Sequence, residues 1–460
     1  MTDGPTAVIM AAGRGTRMRS ALTKVLHPVC GRPMLHWVIA AAREAGAGRV
    51  VCVSRPGDGV AEALPNGVEA AEQRQGEGTA AALLAAREQI DGAGTVITLS
   101  GDHPMLSAEL ITGLVAAHRE AGAAATLLTT EDLDPAGYGR VVRAADGAVE
   151  RIVETKSPEA VPPDELAIRE VNLGTYVFEA GVLLEALGAV PEERAERYLT
   201  AVFPILRERG HSLAAHTTRD AAAAIGVNTR VGLMDAEEVA RRRIAERHAL
   251  AGVTLHAPET IAIDADVEIG ADTEIGPGSV LRGDTRIGSG CTIGPHTTIV
   301  DSRLGDEVTV LRSHLAECRV ARGATIGPFS YVRPGTEIGE EAKVGAFVEV
   351  KNSRVGEGAK VPHLSYVGDA DVGARANLGA STITANYDGR RERKHRTVIG
   401  AGAHTGVHTS LVAPVRVGDD AYTGAGSVVT QDVPDGALGV ARPRQKNVEG
   451  YAKRSEGLER

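Results

Sequence analysis

The sequence predicts two folded bodies of different class: an α/β body with a mainly parallel sheet, then a parallel β-solenoid. In the first half, short apolar runs alternate with Ala-rich helical stretches. In the second half, aliphatic residues recur every six positions. The composition agrees with both. Aromatic residues make up only 3% of the 460 residues while glycine numbers 55, so the cores are aliphatic and closely turned.

The runs Ala7–Met10, Val50–Val53 and Val96–Leu99 read as buried strands, and Leu35–Ala45 and Ala80–Glu88 as helices between them. Such alternation favours a parallel sheet covered on both faces. Ligands then gather at the carboxyl ends of the strands.

A helix is predicted over Ala236–Ala249, with Asp235 as its cap, Glu238 in a capping-box position, and Met234 and Val239 as a staple. It divides the chain into residues 1–228, a helical linker 229–251, and residues 252–460.

Beyond the linker, Ile263, Ile269, Ile275, Leu281, Ile287, Ile293 and Ile299 follow one another at a spacing of six. The phase then shifts, and Val320, Ile326, Val332, Ile338, Val344 and Val350 resume the spacing. Near the end, Ile399, Leu411, Val417 and Val429 share one grid with Thr405 and Thr423. A six-residue period belongs to β-solenoids, in which each coil has three short faces and one aliphatic per face points inward. Glycines directly after the aliphatics, such as Gly270, Gly276, Gly288, Gly294 and Gly339, are expected to permit the corners. The stretch NYDGRRERKHR at Asn386–Arg396 interrupts the repeat and must leave the prism as a loop.

Lys plus Arg is 50 against 60 for Asp plus Glu, a formal net charge of −10. That excludes a nucleic-acid-coating protein. It leaves room for small anions in local basic pockets. Cys30, Cys52, Cys291 and Cys318 form no CxxC pair and read as buried small hydrophobes in a reducing compartment. No run reaches the roughly 20 apolar residues of a membrane span, and no signal-peptide pattern opens the chain. The expectation is a soluble cytoplasmic protein with no membrane or nucleic-acid partner.

Residues 11–18, AAGRGTRM, follow the first apolar strand, and Lys24 comes shortly after. Gly13 and Gly15 let backbone amides approach a phosphate, and Arg17 and Lys24 add positive charge where pyrophosphate would develop. The loop is neither a P-loop nor a dinucleotide fingerprint, since GKS/GKT is absent and Met18 holds the third glycine position.

This segment resembles the sugar-nucleotide pyrophosphorylases, whose signature is a Gly-x-Gly-Thr-Arg-Met loop followed by a Lys. The resemblance implies that Ala11, Ala12 and Gly13 line the nucleotide-sugar site and that Gln73, Gly78 and Thr79 contact the uracil. It makes Ser100, Gly101 and Asp102 the metal-binding turn. Gly139, Glu154, Asn172 and Asn228 fall at sugar and metal contacts, with Asp102 and Asn228 as the Mg²⁺ ligands. Joined to hexapeptide repeats, the whole chain resembles the bifunctional N-acetylglucosamine-1-phosphate uridylyltransferase/glucosamine-1-phosphate acetyltransferase family. That implies an α/β Rossmann-like nucleotidyltransferase domain followed by a left-handed parallel β-helix. It also implies a homotrimer with acetyl-transfer sites between subunits, using UTP, sugar-1-phosphates and acetyl-CoA to supply UDP-N-acetylglucosamine for the cell wall.

In the second half Arg333, Glu349, Lys351, His363, Tyr366 and Asn377 recur at about one coil's spacing, so their side chains can line one cleft. The resemblance makes His363 the general base, with Glu349 a candidate to orient its ring. It sets Arg333 and Lys351 on the sugar phosphate and Tyr366, Asn377 and Asn386 around the sugar. Ala380, Asn386, Tyr387, Val407, Ala425 and Arg442 match acetyl-CoA positions, and the basic loop Arg390–Arg396 is a candidate for the CoA phosphates.

Departures from the family pattern are Val407 where a Ser is usual, Ser381 for a Gly, Thr23 for a Pro, and Ala195 and Ala201 in the GEYYLTD-like stretch near the sugar pocket. They keep open a paralogue with retuned sugar or acyl preference, or with one activity lost. A non-catalytic scaffold is the third reading; it fits poorly with the retention of Asp102, Asn228 and His363.

Overall fold

The computed structural model describes residues 4–155, 159, 161–191 and 196–452. The chain divides into two compact units, Met1–Arg243 and Ile244–Arg460.

In the first unit, β1 (Thr6–Met10), β2 (Arg49–Ser54), β3 (Glu69–Glu72) and β4 (Thr95–Ser100) pair in parallel. Beyond them lie β5 (Ala125–Thr130), the hairpin β6 (Arg140–Arg143) and β7 (Val149–Val153), then β8 (Val171–Glu179) and β9 (Leu213–Thr217). The sheet order is β9-β5-β8-β4-β1-β2-β3, and β8 runs antiparallel to β4 and β5. Side chains alternate across the sheet. Val8 joins a core with Leu83, Phe178 and Phe203, while Ala7 and Ile9 join the opposite core with Leu35, Val38 and Ile111. Tyr176, Phe178 and Phe203 cluster with ring centroids 5.5–5.9 Å apart.

Strand order reverses at β1: β2 and β3 extend to one side and β4 lies on the other. Met10 and Ser100 are register partners at the carboxyl ends. The AAGRGTRM loop and the Ser100–Asp102 turn therefore emerge side by side at the switch point, where open α/β sheets bind ligands. Gly101 suits this close approach, because a Cβ would crowd the Met10 carbonyl oxygen at 3.2 Å.

The linker helix begins earlier than the sequence suggested. It spans Arg230–Leu250. Thr229 caps it: its Oγ1 accepts from the Gly232 N–H (3.2 Å) and its carbonyl from the Leu233 N–H (3.0 Å). Asp235 is thus inside the helix, and Met234 is 69% exposed rather than stapled. The first half of this helix belongs to the α/β body. Ala236 and Ala240 are fully buried, and Arg243 donates to the Met105 carbonyl (2.8 Å) and to Asp220 (2.9 Å). The stretch expected as one helix at Ala80–Glu88 is Thr79–Ala85 followed by a short turn of helix at Arg87–Ile90.

The second unit winds three parallel sheets of 7, 10 and 9 strands around one aliphatic core, the left-handed β-helix expected. Ile263, Leu281, Ile299, Leu315, Val332, Val350 and Val367 stack in one column, and Ile269, Ile287, Leu304, Val320, Ile338 and Val355 in another. The phase shift has a simple cause: a few coils after Ile287 are one or two residues shorter, yet Ile293–Val310–Ile326 remains in register. The Asn386–Arg396 interruption forms an exposed hairpin, Tyr387–Asp388 against Arg393–Lys394.

Most of the glycines named for the corners do something else. Among Gly270, Gly276, Gly288, Gly294 and Gly339, only Gly294 has positive φ. A Cβ on Gly270, Gly288 or Gly339 would stand 2.7, 2.6 or 2.8 Å from a backbone carbon of the next coil. They are small because coil stacks on coil. The left-handed corners are taken instead by residues such as Asp272, His296, Phe329, Phe347 and Leu364.

Candidate functional sites

A cavity of about 860 Å³ opens at the carboxyl edge of the α/β sheet. It is lined by Ala11, Ala12, Gly13, Arg17, Lys24, Gln73, Gly78, Thr79, Ser100, Asp102, Glu154, Asn172 and Asn228, which the structure thus brings together from segments far apart in the chain. Two further sequence-predicted residues support its walls. Gly101 packs on β1, and Gly139 lies where a Cβ would meet Ile152 at 3.0 Å, its carbonyl accepting from the Asn172 N–H.

Gly15 has φ +59°, and a Cβ there would fall 2.6 Å from the Lys24 Cβ. The glycine lets Lys24 fold back across the loop. Its ammonium donates to Asp102 Oδ2 and, at 3.2 Å, to Asn228 Oδ1. Arg17 reaches the same Asn228 oxygen at 3.0 Å. Burial pushes the Asp102 carboxyl up, but Lys24 and then His103 outweigh it and hold it below the usual carboxylate range. His103 is held below the usual imidazole range, chiefly by burial, against the pull of Asp102. On the far wall the Asn172 amide donates to the Tyr176 hydroxyl (2.7 Å), and Thr200 donates to Glu154 (2.9 Å).

Among the lining residues that sequence reasoning missed are Arg14, Arg55, Glu77 and His103. Arg14 and Arg55 both grip Glu77, Arg14 at 2.7 Å, and Arg55 also donates to the Ala12 carbonyl (2.6 Å). This ion triad ties the glycine loop to the 73–79 segment. Arg55 first, with Arg14 helping, holds the Glu77 carboxyl below its ordinary range. His103 sits beside Asp102, its Nε2 3.9 Å from Oδ1. A charge within a loop motif reads as a solvated side chain in sequence, so only the cadence GEGT hinted at Glu77. Ala195 lies outside the described residues. Ala201 is half-buried next to Thr200.

On the β-helix, His363, Ala380, Val407 and Ala425 form one column at a corner, one residue per coil. The residue after each donates its N–H to the preceding member's carbonyl: Ser381 to His363, His408 to Ala380, and Gly426 to Val407. Arg442 follows, its Cδ 3.8 Å from where a Cβ on Gly426 would lie. His363 is exposed, the residues below it are small, and Val407 is 47% exposed. Three coil steps of roughly 4.8 Å make this column about 14 Å long.

Around the corner, Glu349 and Tyr366 are register partners, and the Arg333 N–H donates to the carbonyl of Val350, the residue before Lys351. Glu349 does not orient His363 as expected. Its carboxylate pairs with Arg333 at 2.7 Å, in the adjacent coil of the same face. Asn377 bridges Lys360 and His404 on the neighbouring face. The Asn386 amide is almost buried and donates to Asp369, which Asn352 also grips at 2.6 Å. Burial raises the Asp369 carboxyl, but these two amides together with Lys351 and Lys394 bring it below normal. Tyr387 stays exposed on the hairpin. Of the basic loop, Arg396 forms a bidentate pair with Asp371 at 2.6 Å and anchors the hairpin. All four cysteines are buried and free, as expected, and burial pushes the Cys52 thiol up to about 12 and Cys318 to about 11. Among the described residues, no helix is long and apolar enough to cross a membrane.

Comparison with known proteins agrees with this division. Residues 7–201 match the family of MobA-like NTP transferase domains, and residues 266–301 and 317–352 match the bacterial transferase hexapeptide (six repeats). The chain is 45% identical over 464 residues to the bifunctional protein GlmU of Mycobacterium bovis (strain BCG / Pasteur 1173P2), covering 98% of this chain and 93% of the relative. It is 47% identical to that of Mycolicibacterium vanbaalenii, covering 97% and 92%. With the GlmU of Brevibacillus brevis the identity is 46%, covering 97% of each.

Proposed function

Because the chain belongs to the family of the bifunctional GlmU proteins, we propose that its two bodies divide that family's two reactions between them. The chain is a bifunctional transferase with uridylyltransferase and acetyltransferase activities. In our reading, residues 252–460 move an acetyl group from acetyl-CoA to glucosamine-1-phosphate. Residues 1–228 then join the N-acetylglucosamine-1-phosphate to UTP, giving UDP-N-acetylglucosamine and pyrophosphate. The observation that carries the uridylyl assignment is the convergence of the glycine loop, Lys24 and Asp102 at the switch point of the sheet.

The sugar phosphate is already ionised, so its attack on the α-phosphorus needs no general base. The new P–O bond forms as the bond to the β-phosphate oxygen breaks, and pyrophosphate leaves with the electron pair. Loop amides at Ala12 and Gly13 cradle the triphosphate, and Arg17 and Lys24 neutralise the leaving group. Gln73, Gly78 and Thr79 hold the base, while Gly139, Glu154 and Asn172 shape the sugar pocket.

The donors at Asp102 and Asn228 fit a small divalent cation. They are two hard oxygens, one ionised, and an ammonium already bridges them. No cluster of three or more His, Cys, Asp or Glu that could hold a metal occurs among the described residues. The site therefore suits a cation that takes its remaining ligands from phosphates and water, as Mg²⁺ does. When bound, Mg²⁺ would supply charge neutralisation between the two crowded phosphates.

For acetyl transfer, His363 accepts the proton as the amine nitrogen attacks the thioester carbonyl. The C–N bond forms, the C–S bond breaks, and the CoA sulfur leaves with the electrons. Arg333 and Lys351 hold the sugar phosphate, with Tyr366 and Asn377 around the sugar. Ala380, Val407, Ala425 and Arg442, with Asn386 and Tyr387, take acetyl-CoA. The corner column supports this: a thioester placed at His363 has its carrier's path laid out toward Arg442.

The protein acts in the cytoplasm as a homotrimer. Phe329, Phe347 and Leu364, more than half exposed, occupy one corner in successive coils, the two phenylalanine rings stacked at 5.2 Å. An apolar ridge of this kind next to His363 suits a second copy. A retuned acyl preference is the second reading, favoured by the apolar Val407 in the corner column.

The test is to incubate the full-length protein with a panel of sugar-1-phosphates, nucleoside triphosphates and acyl-CoAs and read product masses. UDP-N-acetylglucosamine from N-acetylglucosamine-1-phosphate and UTP, and acetylated glucosamine-1-phosphate, are expected. Turnover confined to another sugar, base or acyl donor overturns the substrate assignment.

A further inference from the structure

Glu196, Tyr198 and Thr200 line the α/β cavity, and no step above uses them. Their stretch of chain is tied to the segment proposed for the base. The Arg197 N–H donates to the Glu77 carbonyl (2.8 Å), and the Ala80 N–H donates to the Arg197 carbonyl (2.9 Å). Gly78 makes this approach possible: its φ is +93°, and a Cβ there would stand 2.5 Å from the Arg197 carbonyl oxygen. One side chain joins the backbone bonds. Thr79 Oγ1 accepts from the Leu199 N–H at 2.8 Å. The next residue, Thr200, is almost buried and donates to Glu154 Oε1 at 2.9 Å. The hydrogen bonds therefore run from the base segment, through residues 197–200, to the Glu154 carboxylate of the sugar pocket.

Leu199 is 1% exposed, so water does not readily replace the Thr79 hydroxyl on its N–H. That hydroxyl accepts here and keeps its own hydrogen for a second partner in the cavity. We propose that Thr79 and Thr200 are positioning residues for uridylyl transfer, which carry the seating of the nucleotide base to the sugar pocket, Thr79 through Leu199 and Thr200 through Glu154. A base seated on Gly78 and Thr79 holds the stretch that aims Glu154 at the sugar. The inference rests on the uridylyl reading given above and adds the link between its two substrate subsites.

The experiment is steady-state uridylyl transfer by the full-length protein, with each substrate varied in turn and Tm measured alongside. Thr79→Val keeps the size and removes the acceptor. It raises the KM for N-acetylglucosamine-1-phosphate by about fivefold or more, and by a larger factor than the KM for UTP. Thr79→Ser returns the acceptor and restores the sugar KM. Thr200→Val breaks the second link and gives the same split between substrates, and the double valine variant is no worse than the worse single one. A Thr79→Val effect that falls mainly on UTP, or that Thr79→Ser does not restore, removes Thr79 as the link while the uridylyl reading stands. Effects that multiply in the double variant show two separate roles and overturn the inference in the same way. If the wild type forms no UDP-N-acetylglucosamine from UTP and the sugar phosphate, the uridylyl reading fails and this inference falls with it.

Discussion

Lys24 and Asp102, 78 positions apart in the chain, meet across the mouth of the α/β sheet, the ammonium donating to the carboxylate Oδ2. Both side chains are largely buried, and Asn228 completes the group. Asp102→Asn keeps the shape and removes the charge. Uridylyl transfer is expected to fall by at least about 10²–10³-fold, the scale of losing one electrostatic stabiliser of the transition state. Acetyl transfer should stay near wild type, because the groups proposed for it lie in the other unit. Equal loss of both activities in the same preparation would sink the assignment.

The Arg14–Glu77–Arg55 triad predicts a smaller effect. Arg14 is 69% exposed, so its pair with Glu77 is worth at most about 1 kcal/mol. Glu77→Gln should raise the KM for UTP by no more than about fivefold and leave acetyl transfer untouched. Arg55→Ala should do more, since Arg55 also fixes the Ala12 carbonyl in the loop. Kinetics at low and high salt separate the two: the exposed Arg14 contribution fades with salt. A larger KM increase in Glu77→Gln than in Arg55→Ala would contradict this ordering.

Val407 places a half-exposed apolar side chain between Ala380 and Ala425 in the column proposed for acetyl-CoA. Val407→Ser supplies a hydroxyl and should tighten acetyl-CoA by about 0.5–1.5 kcal/mol, a drop in KM of roughly two- to tenfold. Should the KM stay unchanged while a longer acyl-CoA weakens, the column is tuned to another donor.

His248 sets a pH dependence. Burial first, then the neighbouring Arg247, pushes its imidazole from 6.5 to about 4. The folded state keeps the ring neutral where the unfolded chain would protonate it. Stability is therefore fully present above about pH 6.5 and is lost as pH falls toward 4, on the order of 3 kcal/mol in all. Thermal melts of wild type and His248→Leu at pH 7.5 and pH 5 check this. The wild type should lose more Tm on acidification than the variant, and equal losses would remove His248 as the cause.

Motifs that sit at strand ends were legible in the sequence because strand and loop are contiguous: AAGRGTRM follows β1, and Ser100–Asp102 follows β4. The residues of the column His363–Ala380–Val407–Ala425 were reached through the family resemblance, because the Asn386–Arg396 insertion breaks the repeat spacing between Ala380 and Val407. Partners brought by the fold were not legible. Glu349 could be placed near His363 by spacing alone, but only the register put Arg333 beside it. The early start of the linker helix was hidden because Asp235 and Glu238 mimic a capping box inside it, so the cap at Thr229 went unread. The stacking glycines looked like turn glycines because sequence does not show how closely one coil approaches the next.

The helix geometry decides where the chain can be cut. A break near Arg230 would leave Ala236 and Ala240 without the core they fill, and would strip Asp220 and the Met105 carbonyl of Arg243. A fragment ending at Arg243 should therefore be soluble and transfer uridylyl groups as a monomer, while one ending at Arg230 should be destabilised, with a lower Tm. A fragment beginning near Ile244 keeps the whole β-helix and the exposed Phe329–Phe347–Leu364 ridge. It should trimerise and retain acetyl transfer. His363→Ala within it should cost about 10²–10⁴-fold in rate, the usual contribution of a general base. Sedimentation and acetyl transfer measured on the same fragment decide the matter. A monomer with full acetyl transfer removes the intersubunit site, and an undiminished His363→Ala rate removes His363 as the base.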